Sequence, residues 1–167
     1  MKNQTCCFSG HRIIPQQDYE IIQKRLESEI INLINQGVTE FRTGGALGFD
    51  TMAALAVLKL KKSFPHIRLI LVLPCWEQAD KWSVNDRERY AIIRVQADEV
   101  TYASWLYCKG CMHKRNRRLA DDSGFCVCYL TKSGGGTSYT VDYAMQNGAR
   151  IINVASDIPA YNSAGRL

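Results

Sequence analysis

Three glycine-bearing turns, each following a short apolar run, constrain this 167-residue chain more than any other feature. The central one is Thr43-Gly44-Gly45-Ala46-Leu47-Gly48-Phe49-Asp50. A β-like run, Val38 to Arg42, precedes it, and an apolar helical run, Met52 to Leu60, follows. Glycine permits positive φ and the close approach of another group. The helix beyond points free N–H groups and its positive dipole end at the turn. Strand, glycine turn and helix therefore make a ready anion site, most often for phosphate. Glycines also serve packing alone, and one such turn does not separate the two uses. The second turn, Ser133-Gly134-Gly135-Gly136-Thr137-Ser138, follows the apolar run Phe125 to Leu130 and precedes a predicted helix from Tyr139 to Asn147. The third, Ser9-Gly10-His11-Arg12, follows the first strand. Three such turns at strand ends predict one shared crevice of the kind in which open α/β sheets bind ligands.

The remaining elements fit that sheet. Thr5 to Ser9 reads as a buried strand, with Cys6 and Cys7 as small hydrophobes. Tyr19, Ile22, Leu26, Ile30, Leu33 and Ile34 repeat at helical spacing and predict a core-facing stripe, with Asp18 as cap and Gly37 as stop. Ile67 to Leu73 is nearly continuously apolar, as in a parallel strand buried on both faces. Cys75 to Arg89 is less regular. Its tryptophans, Trp76 and Trp82, suit a lid, a base-stacking wall or an anchor, and the anchor reading fits Trp82 best. A helix to about Ala97, with Tyr90, Ile93 and Ala97 inward, and a strand from Glu99 to Ala103 follow. Arg150 to Val154 reads as the last strand. With no repeat or linker, residues 1–155 are expected to form one domain, followed by a polar tail, 156–167.

Composition sets outer bounds. At 46% hydrophobic and 22% charged residues the chain is an ordinary globular one, not a disordered one. Met1 to Gly10 lacks the apolar core of a signal peptide, and no stretch is long enough to span a bilayer. A cytoplasmic protein without membrane partners is the expectation. The net charge of +5 favours an anionic partner. Seven cysteines in such a protein are expected to be free thiols. Cys108-Lys109-Gly110-Cys111 invites a zinc reading, but structural zinc takes four ligands. The second pair would have to be Cys126 and Cys128, expected on opposite faces of their strand, so no metal site is expected. Thioredoxin-type chemistry expects its Cys-x-x-Cys in a different βαβ context.

Charged residues near the turns are the candidate ligand contacts. Arg12 offers a fork that matches phosphate oxygens. His11 beside it is more often structural. Asp50 stands where a helix begins and suits a cap, a ribose contact or a brace for the glycine loop. Lys109, Lys114, Arg115, Arg117 and Arg118 form a basic run just before the Phe125 strand. Arg115 and Asn116 can reach a phosphate and a polar ligand edge. No aromatic residues alternate with these charges, which speaks against a single-stranded nucleic-acid tract. Thr137 suits a helix cap and phosphate donor.

Taken together, Cys7-Phe8-Ser9-Gly10-His11-Arg12, Gly44 to Asp50, the Pro74 to Tyr90 stretch, Arg115-Asn116 and Gly135-Gly136-Thr137 resemble the YpsA-like family of the SLOG superfamily. That superfamily also holds the DNA-processing protein DprA (Smf) and the LOG phosphoribohydrolases. The resemblance implies a Rossmann-like α/β fold: an open, mostly parallel sheet with helices on both faces. It implies a pocket at the strand ends for a nucleotide or a derivative of ADP-ribose or NAD type. LOG enzymes cleave the N-glycosidic bond of nucleoside monophosphates with a glutamate that follows a Gly-Thr pair. Here Gly136-Thr137 matches the pair, but the glutamate position is Thr140. Threonine cannot act as that carboxylate, so the binding half is kept and the catalytic half is not. The expected ligand contacts are Gly10, His11, Arg12, Gly44, Gly45, Gly48, Asp50, Arg115, Asn116, Gly135, Gly136 and Thr137. The expected function is a nucleotide-binding sensor or regulatory protein, with a homodimer by analogy. The alternatives are a phosphoribohydrolase and a DprA-like single-stranded nucleic-acid binder.

Overall fold

Side-chain alternation along the strands sorts the core into two layers. Phe8, Leu69, Leu71, Leu73, Val127 and Tyr129 pack on one face, while Cys7, Ile70, Val72, Cys126 and Cys128 pack on the other. Both faces are therefore apolar, as a doubly covered parallel sheet requires. The elements, in a computed structural model that describes residues 2–156, run β1 (Thr5–Gly10), α1 (Gln16–Asn35), β2 (Glu40–Thr43), α2 (Phe49–Lys61), β3 (Arg68–Leu73) and α3 (Val84–Gln96). They continue β4 (Glu99–Tyr102), α4 (Cys111–Ala120), β5 (Phe125–Tyr129), α5 (Gly135–Gln146) and β6 (Arg150–Asn153). All strand pairs are parallel, in the order β4-β3-β2-β1-β5-β6. Parallel neighbours need crossovers, and these place α1, α2 and α3 on the first face and α4 and α5 on the second. The sheet grows one way from β1 through β2, β3 and β4, then the other way through β5 and β6. The β1–β5 boundary is the topological switch point, and the turns after Gly10 and Tyr129 part there.

The helices hold this frame through their apolar stripes. In α1, Ile22, Leu26, Ile30, Leu33 and Ile34 are buried, each contributing about 1.5–3 kcal/mol. Gly37, at φ +99°, ends the helix as expected. Tyr19 departs from the predicted stripe: it is 44% exposed. In α2, Ala53, Ala54 and Ala56 are buried and let the helix lie close to the sheet.

Several local expectations need correction. Cys126 and Cys128 share one face, because residues two apart in a strand point the same way. Among the described residues no group of three or more His, Cys, Asp or Glu side chains is placed to hold a metal. The helices at both glycine turns begin earlier than predicted, α2 at Phe49 and α5 at Gly135. Glycines at the turn tolerate the sharp entry, so helical hydrogen bonding starts at once. Gly48 and Gly134, not Asp50 and Thr137, occupy the N-cap positions, and neither helix has a side-chain cap. Pro15, not Asp18, precedes α1, where its fixed φ suits a helix entry. The predicted tail lies, apart from Ser156, outside the described residues.

Candidate functional site

A cavity of about 310 Å³ opens at the switch point. Gly10, His11 and Arg12 line it from the end of β1, Asp50 from α2, Arg115 and Asn116 from α4, and Gly136 and Thr137 from α5. These eight of the twelve expected contacts come from four segments far apart in the chain, so the shared crevice exists. Gly45 and Gly48 line a neighbouring cavity of about 270 Å³ instead. Gly44 lies buried behind Arg115, and Gly135 is exposed beside the crevice.

The β2–α2 glycine loop is closely filled by the protein's own atoms. A Cβ at Gly44 would lie 2.4 Å from Arg115 Nη1, and one at Gly48 would lie 2.1 Å from the Arg12 carbonyl oxygen. A Cβ at Gly10 would lie 2.4 Å from the Phe49 ring. Asp50 folds back into this loop: the Ala46 N–H donates to Oδ2 at 3.2 Å. An internal carboxylate therefore occupies the position that the loop offers an anion. Burial pushes the Asp50 pKa up to about 6, against the opposing pull of Arg115, the Ala46 amide and Arg12.

Arg115 braces the same loop. Its Nη1 donates to the Gly44 carbonyl at 2.6 Å and to Gln78 Oε1 at 3.4 Å, and its Nε donates to Asn116 Oδ1 at 2.7 Å. It is 6% exposed, and burial lowers its pKa while Asp50 opposes that shift. The basic run thus splits. Arg115 and Asn116 turn inward, while Lys114, Arg117 and Arg118 stay exposed. Arg117 donates to the Tyr139 hydroxyl at 3.2 Å and Arg118 to the Tyr102 carbonyl at 2.9 Å.

His11 ties the crevice loops together. Its Nε2 accepts from the Thr131 N–H at 3.0 Å, its own N–H donates to the Tyr129 carbonyl at 3.3 Å, and its carbonyl accepts from the Phe49 N–H at 3.2 Å. Burial, then Lys132, lowers its pKa, which keeps Nε2 free to accept. Arg12 is exposed and lines both cavities.

The β5–α5 turn is different. A Cβ at Gly134 or Gly135 would meet nothing within 4 Å, and one at Gly136 would meet only Asn116 Nδ2, at 3.6 Å. All three glycines are exposed. The first turn of α5 therefore presents uncapped N–H groups beside Arg12 and Asn116. Thr140 is buried, and its hydroxyl donates to the Gly136 carbonyl at 2.8 Å.

Sequence reading missed two features. Gln78 links Arg115 to the Gly44 carbonyl, donating to that carbonyl at 3.3 Å. Trp105 stacks on Trp76 at 5.1 Å between centroids, with the Arg94 guanidinium 4.9 Å from the Trp76 ring. The Tyr102 ring packs against both tryptophans, at 5.7 Å and 5.9 Å, and the Trp76 and Trp105 rings remain exposed. Trp82 is the anchor expected of it, packing on the core and edge-on to Tyr90. Cys108 is exposed and Cys111 buried at the start of α4.

A doubly wound, all-parallel sheet with a polar crevice at its switch point defines a Rossmann-like α/β domain. The chain belongs to the YspA SLOG family: the YpsA family model matches residues 13–154. It is 35% identical over 126 residues to a UPF0398 protein of Halalkalibacterium halodurans, covering 74% of this chain and 67% of that one. Of several further UPF0398 relatives it spans 42–45% of the length. DNA processing protein A (DprA) from Streptococcus pneumoniae has a similar structure, with a TM-score of 0.64 at 18% identity, over 97% of this chain and 56% of that one. DprA from Helicobacter pylori, which binds single-stranded DNA, gives 0.62 at 15% identity, over 98% and 74%. At such identities the likeness shows the fold alone. Among the described residues no helix is long and apolar enough to cross a membrane.

Proposed function

We propose that this chain is a nucleotide-binding module whose switch-point crevice holds a phosphate-bearing nucleotide, or a derivative of ADP-ribose or NAD type, as a sensor or regulatory protein. The observation that carries this reading is the uncapped first turn of α5, open to the same cavity as Arg12. Free helix N–H groups, the helix dipole and a guanidinium together favour a multiply charged anion. In this reading Arg12 neutralises the phosphate, Gly135, Gly136 and Thr137 cradle it, and Arg115 holds the crevice in shape. LOG-type hydrolysis is not part of it, since the Thr140 hydroxyl is committed to the helix backbone.

A thermal-shift panel of AMP, ADP, NAD and ADP-ribose tests the reading, with product analysis for any ligand that binds. A ligand at 100 times its dissociation constant should add about 2.7 kcal/mol. Gly136→Asp should abolish the shift while leaving the fold intact, because a carboxylate at a helix N-terminus stabilises the helix and repels the ligand. No shift with any nucleotide contradicts the proposal, and release of free base with ribose 5-phosphate selects the hydrolase instead. Light scattering tests the homodimer that the resemblance implies.

The exposed Trp76–Trp105 stack favours a second reading, single-stranded nucleic-acid binding. Folding supplies the aromatic platform that the basic run itself lacks, and such platforms stack bases. Steep salt dependence of DNA binding, lost in Trp105→Ala, is its signature. Salt-independent binding, or none, contradicts it.

A further inference from the structure

We infer that the cavity on the far side of the Thr43–Asp50 loop is a second subsite, built for a flat nitrogen-bearing aromatic ring. The inference deepens the proposed function and rests on it, since the ring must belong to a ligand whose anionic end lies in the crevice.

Three observations carry it. The first is size. At about 270 Å³ and 310 Å³ each cavity alone sits at the floor of the usual range for small-molecule sites, whereas the two together lie well inside it. They share Arg12 and Asp50, so they adjoin, and a ligand that spans both would run past these two side chains.

The second is the wall. Tyr19, Trp82 and Tyr90 line the cavity, and Trp82 stands edge-on to Tyr90 with centroids 5.3 Å apart. Tyr19 sits in register with the buried stripe of α1 yet is 44% exposed, on the cavity rather than in the core. A ring between such side chains gains both apolar burial and aromatic contact.

The third is the polar rim. Asp50 and Asp86 offer acceptors and Arg89 offers donors, which suits a purine or pyrimidine edge and not a hydrocarbon. Gly45 lets the loop lie directly against the wall that Leu73 and Tyr90 form. A Cβ there would lie 2.7 Å from Leu73 and 3.3 Å from Tyr90. Two functions thus divide between the two cavities, charge in the crevice and ring recognition behind the loop.

Trp82 reports on the site directly. The chain has three tryptophans, so Trp76→Phe/Trp105→Phe leaves Trp82 as the sole one. That variant is titrated with AMP, GMP, UMP and ribose 5-phosphate, following both fluorescence and affinity by calorimetry. The expected result is that at least one nucleotide quenches Trp82 and binds at least about tenfold more tightly than ribose 5-phosphate, a gain of about 1.4 kcal/mol. Tyr19→Ala should remove most of that gain and leave ribose 5-phosphate affinity unchanged, and Tyr19→Phe should restore it. Equal affinities without quenching overturn the ring subsite and leave the anion crevice standing. Absence of binding by all four overturns both.

Discussion

The two helix-entry glycine turns at the sheet's carboxyl edge are alike in sequence and opposite in physical role. At Thr43–Asp50 the glycines are pressed between Arg115, Leu73 and the Arg12 backbone, and the Ala46 amide already holds the Asp50 carboxylate. At Ser133–Thr137 the glycines face open space, and the helix beyond begins uncapped. A glycine turn before a helix is therefore two different devices. One admits close packing, and the other leaves N–H groups free for a ligand. The first scaffolds the crevice, and in our account the second binds within it.

The largest expected effect tests the packed turn. Gly48→Ala sets a Cβ 2.1 Å from the Arg12 carbonyl oxygen at φ +76°. It should lower stability by on the order of 3 kcal/mol, read as a reduced urea midpoint. A variant as stable as the parent would show that the loop yields and that the contrast is unreal.

A comparable effect attaches to the carboxylate in that loop. The folded pKa of Asp50, raised from 3.8 to about 6, means that the folded state holds its proton more tightly than the unfolded state. The stability this group contributes is fully present below pH 3.8 and is lost as pH rises through about 6. That loss is on the order of 3 kcal/mol for a shift of this size. Subtracting the pH–stability profile of Asp50→Asn from that of the parent isolates the group. A flat difference between pH 4 and 7 would break the account of a buried, loop-filling carboxylate.

The smaller effects concern the open turn. Arg12 is exposed, so Arg12→Ala should change stability by less than about 0.5 kcal/mol. It should weaken AMP by about 10–100-fold, the loss of one charge-assisted contact of about 1.5–3 kcal/mol. Unchanged AMP affinity by calorimetry would remove Arg12 from the site. Smallest is Gly136→Ala, whose Cβ meets only Asn116 at 3.6 Å. It should raise the unfolding free energy by about 0.5 kcal/mol, through the helix preference for alanine. Destabilisation like that of Gly48→Ala would mean that the second turn is packed as well.

The fold was largely legible because its signals are local. Continuous apolar runs such as Ile67 to Leu73 mark parallel strands, and the α1 stripe from Ile22 to Ile34 marks a helix. The gathering of Gly10, Asp50 and Gly136 into one crevice was legible from turn positions, since turns at strand ends share one edge of a parallel sheet. The fate of each turn was not. Whether a glycine meets open space or a guanidinium depends on Arg115, which lies 71 residues from Gly44. A sequence signal for Arg115 did exist: Cys111, Arg115 and Leu119 recur every four residues and are all buried, so Arg115 lies on the inward stripe of α4. The basic run around it disguised that stripe as a solvated face. The Trp76–Trp105 stack joins the loop after β3 to the loop after β4, and no local pattern announces it.

The central claim is that the two turns divide scaffold from binding, and backbone amide shifts read both at once. In a ¹⁵N-labelled sample titrated with AMP, the account predicts large, saturable shifts at Gly135, Gly136 and Thr137, with little change at Gly44, buried behind Arg115, and at Ala46, whose amide holds Asp50. Shifts centred on Gly44 and Ala46, with Gly135 to Thr137 unmoved, would contradict it.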